Sequence, residues 1–392
     1  MAKVLVTVTG RDAPGITAAL TQVVAEQGVI LRDVEQVVVH GQLTLCLLLE
    51  TSSDAFVLKE LLFAASQRGL TLQLAEMRDE APSRSQRRVA VTALGNPLEA
   101  RHLSALAKVL AEHGANIVAM DRLSGEALDA LEVRADVTGD GDVAALSSAL
   151  LGLALTDDLD LAVQPWGLVR RGMRLCAMDM DSTLVQVEVI DELARHHGVG
   201  EQVARITADA MAGGLDYEAS LRRRVALLEG LRADAVDQVA DQLPLTDGAE
   251  VLVSTLKHLG YKTAVISGGF DVAARRVQAR LGLDHACSNT LEVKDGVLTG
   301  RVLEPIVTPE RKVQLLERIA RDEGVDLSQT IAIGDGANDL KMIERAGLGI
   351  AFHAKATLRD AADTALTAGG LDRVLYLLGI RARDLAEWGI PS

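Results

Sequence analysis

Aromatic residues make up only 2% of the 392 positions, with four Phe, three Tyr and two Trp. Cores and interfaces must therefore be filled by Val, Leu, Ile and Ala. Cysteine is as scarce: Cys46, Cys176 and Cys287 are odd in number and far apart, which excludes a disulfide framework and a zinc-ligand spacing. Cys176 falls in an apolar run and reads as a buried structural thiol. Positive charge is also short, with 40 Lys and Arg against 55 Asp and Glu and a net charge of −15. No Lys/Arg stripe is present, so nucleic-acid binding, which phosphate contacts would dominate, is not expected. No apolar run is long enough to span a bilayer. The opening Met-Ala-Lys-Val-Leu-Val-Thr-Val alternates like a strand and lacks a signal-peptide layout. These absences predict a soluble, cytoplasmic protein with neither membrane nor nucleic acid as partner.

At 392 residues the chain exceeds one ordinary core, so two or three domains are expected. Its 48% hydrophobic and 24% charged content is that of a globular protein. The first half repeats itself. Residues 4–9 read as a strand, 17–27 as a helix stopped by Gly28, 31–39 and 42–50 as strands, 56–67 as a helix and 70–76 as a strand. That order, β-α-β-β-α-β, is one ferredoxin-like unit. Residues 77–88, with Pro82 and several charges, read as a linker. Val91-Thr-Ala-Leu-Gly95 then echoes Val6-Thr-Val-Thr-Gly10, and His113-Gly-Ala-Asn-Ile117 echoes Gln27-Gly-Val-Ile-Leu31. The expected domains are 1–78, 86–165 and, beyond Gln164-Pro-Trp-Gly167, 172–392.

The third domain alternates strands with helices, strands being expected at 174–178, 262–266, 330–333 and 348–351, as in a doubly wound parallel α/β sheet. A helical stretch at about 185–245, without a buried strand, is placed to form a cap over the sheet's carboxyl edge, where such sheets bind ligands. Three strands end in polar turns. Asp179-Met-Asp181-Ser-Thr183 sets two acids at i and i+2, on one side of an extended segment. Carboxylates that close repel and call for a cation or a shared proton. Ser267-Gly268-Gly269 offers a hydroxyl and accessible backbone N–H groups to an anion. In Gly334-Asp335-Gly-Ala-Asn338-Asp339, acids again follow a strand. Each turn alone is ordinary strand-to-turn grammar; the three in this order are not.

This ordered set, with Lys312 between the second and third, resembles the haloacid dehalogenase superfamily of phosphotransferases over residues 174–392. The resemblance implies an aspartyl-phosphate mechanism with Asp179 as nucleophile and Asp181 as general acid and base. It implies Mg²⁺ held by the side chains of Asp179 and Asp335 and the backbone carbonyl of Asp181. Ser267, Gly268, Gly269, Lys312 and Asn338 would bind phosphate or substrate, and Asp339 would anchor its loop. The adjacent His196 and His197 do not share a helix face and read as cap-surface residues.

Within the superfamily the match is similar to the phosphoserine phosphatase family. Glu188 stands where that family meets the substrate ammonium, and Arg224, in Tyr217-Glu-Ala-Ser-Leu-Arg-Arg-Arg224-Val, where it grips the carboxylate. Arg222 and Arg223 read as a solvated face. Tyr217 replaces the family's frequent Phe. The implied activity is Mg²⁺-dependent hydrolysis of O-phospho-L-serine, the last step of serine biosynthesis. Alternatives are transfer of the phosphoryl group to an alcohol such as homoserine, hydrolysis of phosphoproteins, or an amino-acid sensor with an inert phosphatase domain. Gly10, Asp12, Pro14, Gly15 and Ile16 of the first repeat resemble the ACT domain's strand-to-helix turn, implying an amino-acid effector, serine, near Gly15. A plain tight turn fits the same residues, and the second repeat, with Asn96-Pro-Leu-Glu99, lacks the Pro-Gly pair. An ACT-like edge strand left open further implies a homodimer.

Overall fold

The computed structural model describes residues 2–51, 56–77, 87–138, 142–157, 159–167, 172–211, 216–388 and 390. They fall into two units, 1–84 and 85–392.

The first unit runs β1 (Ala2–Arg11), α1 (Ile16–Glu26), β2 (Ile30–Val39), β3 (Gln42–Thr51), α2 (Phe56–Ser66) and β4 (Thr71–Met77). Its antiparallel sheet has the order β2-β3-β1-β4. Alternation in β3 turns Leu43, Leu45, Leu47 and Leu49 inward against Leu20 and Leu61 of the two helices. Strand β2 behaves differently, being exposed along its whole length, Val34, Val37, Val38 and Val39 included.

The second unit begins with the same plan: β5 (Arg87–Leu94), α3 (Ala100–Glu112), β6 (Ala115–Arg122), β7 (Ala130–Val137), α4 (Val143–Asp157) and β8 (Asp160–Pro165), with sheet order β6-β7-β5-β8. The repeated motifs occupy equivalent places. Gly28 and Gly114 end the first helix of each copy in the left-handed region, at φ 62° and 65°. The linker expected at 77–88 has its middle, 78–86, outside the described residues, while Met77 and Arg87-Arg88 belong to strands.

Beyond β8 lies a seven-stranded sheet of order β12-β11-β10-β9-β13-β14-β15. Its strands are β9 (Leu175–Met178), β10 (Lys262–Phe270), β11 (His285–Lys294), β12 (Val297–Leu303), β13 (Thr330–Gly334), β14 (Leu348–Phe352) and β15 (Thr364–Leu366). All pairs are parallel except β11 with β12, a hairpin around the left-handed Asp295 and Gly296. The sheet is thus wider than expected and carries one antiparallel edge. Both faces are covered: Cys176, Met178, Ile331 and Ile333 join one apolar cluster, Leu175, Ala177, Ala264 and Ala332 the other.

Between β9 and β10, helices Val189–His197, Gly200–Met211, Tyr217–Ala226 and Ala233–Asp241 form an insert. It leaves and rejoins the sheet through a paired stalk. Val185 bridges Leu245, Gln186 N–H donates to Pro244 O at 3.0 Å, and Thr246 N–H to Leu184 O at 2.9 Å.

Candidate active site

Strand β9 is flanked by β10 and β13 in register, Ala177 facing both Ala264 and Ala332; β9 and β13 end within a residue of one level, while β10 runs on through Ser267-Gly268-Gly269 to Phe270. Asp179 follows the last residue of β9 and is buried; its N–H donates to Ile333 O of β13 at 2.9 Å. The chain then turns sharply through Met180–Leu184, with Ser182 at φ 55°. That turn brings Asp181 Oδ1 to accept from Val189 N–H at 2.8 Å, while Ser267 Oγ donates to its Oδ2 at 3.3 Å. Ser267 in turn accepts from Gly269 N–H at 2.9 Å. Asn338 borders the same turn: a Cβ on Gly268 would stand 3.9 Å from its side-chain nitrogen.

Helix Pro309–Asp322 is started by Thr308, whose hydroxyl accepts from Arg311 N–H at 3.2 Å. One turn in, Lys312 points off the solvent face and is completely buried, with Nζ 2.8 Å from Asp179 Oδ1 and 2.5 Å from Asp339 Oδ1. Asp339 also accepts from Gly336 N–H at 3.1 Å, anchoring its loop as expected. Thr183 Oγ donates to Asp335 Oδ1 at 3.4 Å.

One lysine thus stands among Asp179, Asp181, Asp335 and Asp339. Burial alone would lower the Lys312 pKa, but Asp179 and Asp339 more than reverse this, and it stays a cation. The acids shift upward. Burial, then repulsion from Asp179 and Asp339, pushes Asp335 to about 8; burial and Asp179 carry Asp339 to about 7 despite Lys312. Asp181 is held well above the carboxylate range by burial, Glu188 and Asp179. Carboxylate oxygens of Asp179, Asp335 and Asp339 all lie within 4.8 Å of one another. An all-oxygen set with excess negative charge suits a hard divalent cation.

The insert supplies the remaining expected residues. Glu188 accepts from Ser182 Oγ at 2.9 Å, and desolvation, partly offset by that bond, leaves its carboxyl above its ordinary value. Arg224 is half-buried on helix Tyr217–Ala226; its charge acts on Glu188, Asp191 and Tyr217, and its Nε is buried without a hydrogen-bond partner. A desolvated donor of this kind is costly unless something binds it. Arg222, by contrast, is spent on the solvent side with Glu218 and Glu304, and Arg223 is exposed. His196 is exposed and His197 meets Glu229 O at 3.1 Å, so neither joins the site.

Tyr217 is largely desolvated, its phenol pushed up to about 12, with Oη 3.5 Å from Gly268 O. Asn289, outside every motif named above, donates to the same carbonyl. Gly15 lies in the other unit, where it caps α1 at φ 89° with nothing within 4 Å of a would-be Cβ. A cavity of about 270 Å³ beside Cys287, Arg311 and Arg318 contains none of the motif residues.

Residues 173–347 match the haloacid dehalogenase-like hydrolase family, and residues 2–75 and 88–164 each match an ACT domain. The chain is 44% identical over 397 residues to a phosphoserine phosphatase of Mycobacterium tuberculosis, covering 99% of this chain and 97% of that protein. It is 45% identical over 386 residues to the phosphoserine phosphatase of Streptomyces coelicolor, covering 97% and 93%. A solved structure of a probable phosphoserine phosphatase from Vibrio cholerae, 34% identical, superposes with a TM-score of 0.59 over 77% of this chain and 89% of that one.

Proposed function

The chain belongs to the phosphoserine phosphatase family of haloacid dehalogenase-like hydrolases, and from that premise we propose that it hydrolyses O-phospho-L-serine to L-serine and phosphate through an aspartyl-phosphate on Asp179. The reading makes it a cytoplasmic enzyme closing serine biosynthesis. Its chief support is the buried Lys312 paired to Asp179 among three further acids.

Asp179 attacks phosphorus in line, the bond to the seryl oxygen breaks, and that oxygen takes a proton from Asp181. Burial and the nearby Glu188 and Asp179 charges raise the Asp181 pKa, which favours the protonated form this donation needs. Asp181 then removes a proton from water, whose oxygen displaces Asp179 from phosphorus and releases phosphate. Lys312, the Ser267 hydroxyl and the Gly268 amide hold the phosphoryl oxygens, with Asn338 beside them, while the Gly269 amide, expected to join them, is spent on Ser267 Oγ. Because Asp339 is committed to Lys312 and Gly336, we assign Mg²⁺ to Asp179, Asp335 and the Asp181 carbonyl. Bound there, the ion would offset the carboxylate charge that otherwise repels the phosphate dianion. Arg224 forks onto the substrate carboxylate, giving its unpartnered Nε an acceptor, and Glu188 meets the ammonium.

The ACT domains supply regulation by serine, with the open, left-handed Gly15 turn as effector contact. The exposed apolar strand β2 pairs with a second copy in a homodimer.

Phosphate release from O-phospho-L-serine, with O-phospho-L-threonine as control and homoserine as acceptor, tests the reading. Mg²⁺-dependent turnover selective for phosphoserine is expected. Phosphohomoserine formation would make the chain a phosphotransferase instead, and no turnover of phosphoserine would overturn the substrate.

A further inference from the structure

Strand β10 loses its regular pairing with β11 between Ile266 and Phe270, the stretch that forms the Ser267-Gly268-Gly269 turn. Gly268 has no register partner on β11 in that stretch, and a side chain meets its carbonyl. Asn289, opposite Phe270 on β11 and completely buried, donates from Nδ2 to Gly268 O at 2.7 Å. Its Oδ1 accepts from Val307 N–H, also at 2.7 Å. The reversed amide would set oxygen against carbonyl and N–H against N–H, so the partners fix its orientation. Val307 immediately precedes Thr308, the cap of the helix carrying Lys312. One planar amide thus ties the phosphate turn to the base of that helix.

The tie reaches further. Gly268 O and Gly269 N–H belong to one peptide unit, and that N–H donates to Ser267 Oγ, which donates to Asp181 Oδ2. Holding the carbonyl holds the plane, the Ser267 hydroxyl and the approach to Asp181. From the insert, Tyr217 Oη brings a second, longer donor at 3.5 Å to the same oxygen. We propose that Asn289 is a positioning residue that sets the Gly268–Gly269 peptide plane and fixes it relative to Lys312, with Tyr217 as an auxiliary donor from the insert. Asp lacks the donor, Leu lacks both groups, and Gln has a longer stem; Asn alone matches both partners at this reach.

The proposal rests on the phosphatase reading, so its test uses full-length protein with Mg²⁺ and two substrates, O-phospho-L-serine and p-nitrophenyl phosphate. Asn289→Asp keeps the shape and the acceptor for Val307 but removes the donor to Gly268. It is expected to lower kcat/KM about ten- to a hundredfold and to weaken inhibition by inorganic phosphate in parallel. Tyr217→Phe should lower both about twofold to fivefold, and the double variant should fall short of the product of the two because they share an acceptor. Folded Asn289→Asp with unchanged kcat/KM and phosphate inhibition would overturn the proposal, as would strictly multiplicative effects. If Asn289→Asp does not fold, Tyr217→Phe decides: weaker phosphate inhibition supports the shared carbonyl, and unchanged inhibition overturns it. If wild type cleaves only p-nitrophenyl phosphate, the substrate reading falls and the same comparison still runs on that ester.

Discussion

At the scale of single residues, the buried acids around Lys312 couple proton binding to stability. Asp335 and Asp339 hold their protons to about 8 and about 7 in the metal-free protein. A raised folded pKa contributes stability fully present below the ordinary carboxylate value and lost as pH rises through the folded one. Metal-free protein should therefore lose stability between pH about 4 and about 8, and Mg²⁺ should offset that loss. Thermal scans are expected to show a Mg²⁺-induced rise in Tm that grows from pH about 6 to about 8; a rise independent of pH would contradict the cluster. Arg224→Lys keeps the charge and loses the fork, so KM for phosphoserine should rise about tenfold or more while p-nitrophenyl phosphate, which has no carboxylate, is little affected. Equal losses on both esters would remove Arg224 from substrate recognition. Asp179, Asp181 and Asp335 could be read from the sequence because each follows an apolar strand at a fixed offset. Asn289 could not: its setting looks like any hairpin strand, and its role exists only because β10 leaves the ladder beside it.

At the scale of elements, the site depends on how closely three strand ends approach. Gly334 closes β13, and a Cβ there would stand 2.5 Å from Cγ of the buried Asp339 that holds Lys312. Gly334→Ala should displace that pair, lowering Tm by several degrees and reducing turnover by about tenfold or more. Gly296→Ala, in the β11–β12 hairpin at φ 79° with open space around it, should lose only about 1 kcal/mol of stability and keep its activity. Paired scans and assays check both; equal activity losses would show that Gly334 acts through backbone conformation alone. Strand positions read from the sequence lie within a residue or two of those observed at β9, β13 and β14, where apolar runs end abruptly in acids. The hairpin at Asp295-Gly296, which joins the main sheet as an antiparallel edge, lies outside the expected strands, because nothing local encodes which sheet a hairpin extends. The full exposure of β2 was equally hidden: Val37 and Val39 share one face, as the buried side of a half-buried strand would.

At the scale of the molecule, the sequence repeat makes the two ACT domains look alike, yet the second is continuous with the catalytic core. Leu94, Leu123, Ala130 and Ala162 share an apolar cluster with Met178, Ile333 and Leu366. Asp160 of β8 accepts from Thr367 N–H and Oγ at 2.8 Å each, and Ala382 N–H donates to Leu123 O at 2.8 Å. Removing residues 1–84 should leave a folded, active phosphatase and abolish the proposed response to serine. Removing 1–165 should expose that cluster and aggregate or melt at lower temperature. Chromatography, thermal scans and serine titration of both truncations check this, and a stable, fully active 166–392 fragment would refute the shared core. Periodicity revealed the repeat, since it depends on local alternation; it was silent on which copy is welded to the sheet, since that depends on contacts some 200 residues apart.

An acid-quenched single turnover with O-phospho-L-serine and Mg²⁺ tests the proposed covalent step on Asp179 most directly. Mass spectrometry of the digest should find one phosphoryl group, labile to hydroxylamine, on the peptide containing Asp179, and none in Asp179→Asn. Phosphate released at full rate by Asp179→Asn, or a phosphoryl group carried by another residue, would contradict it.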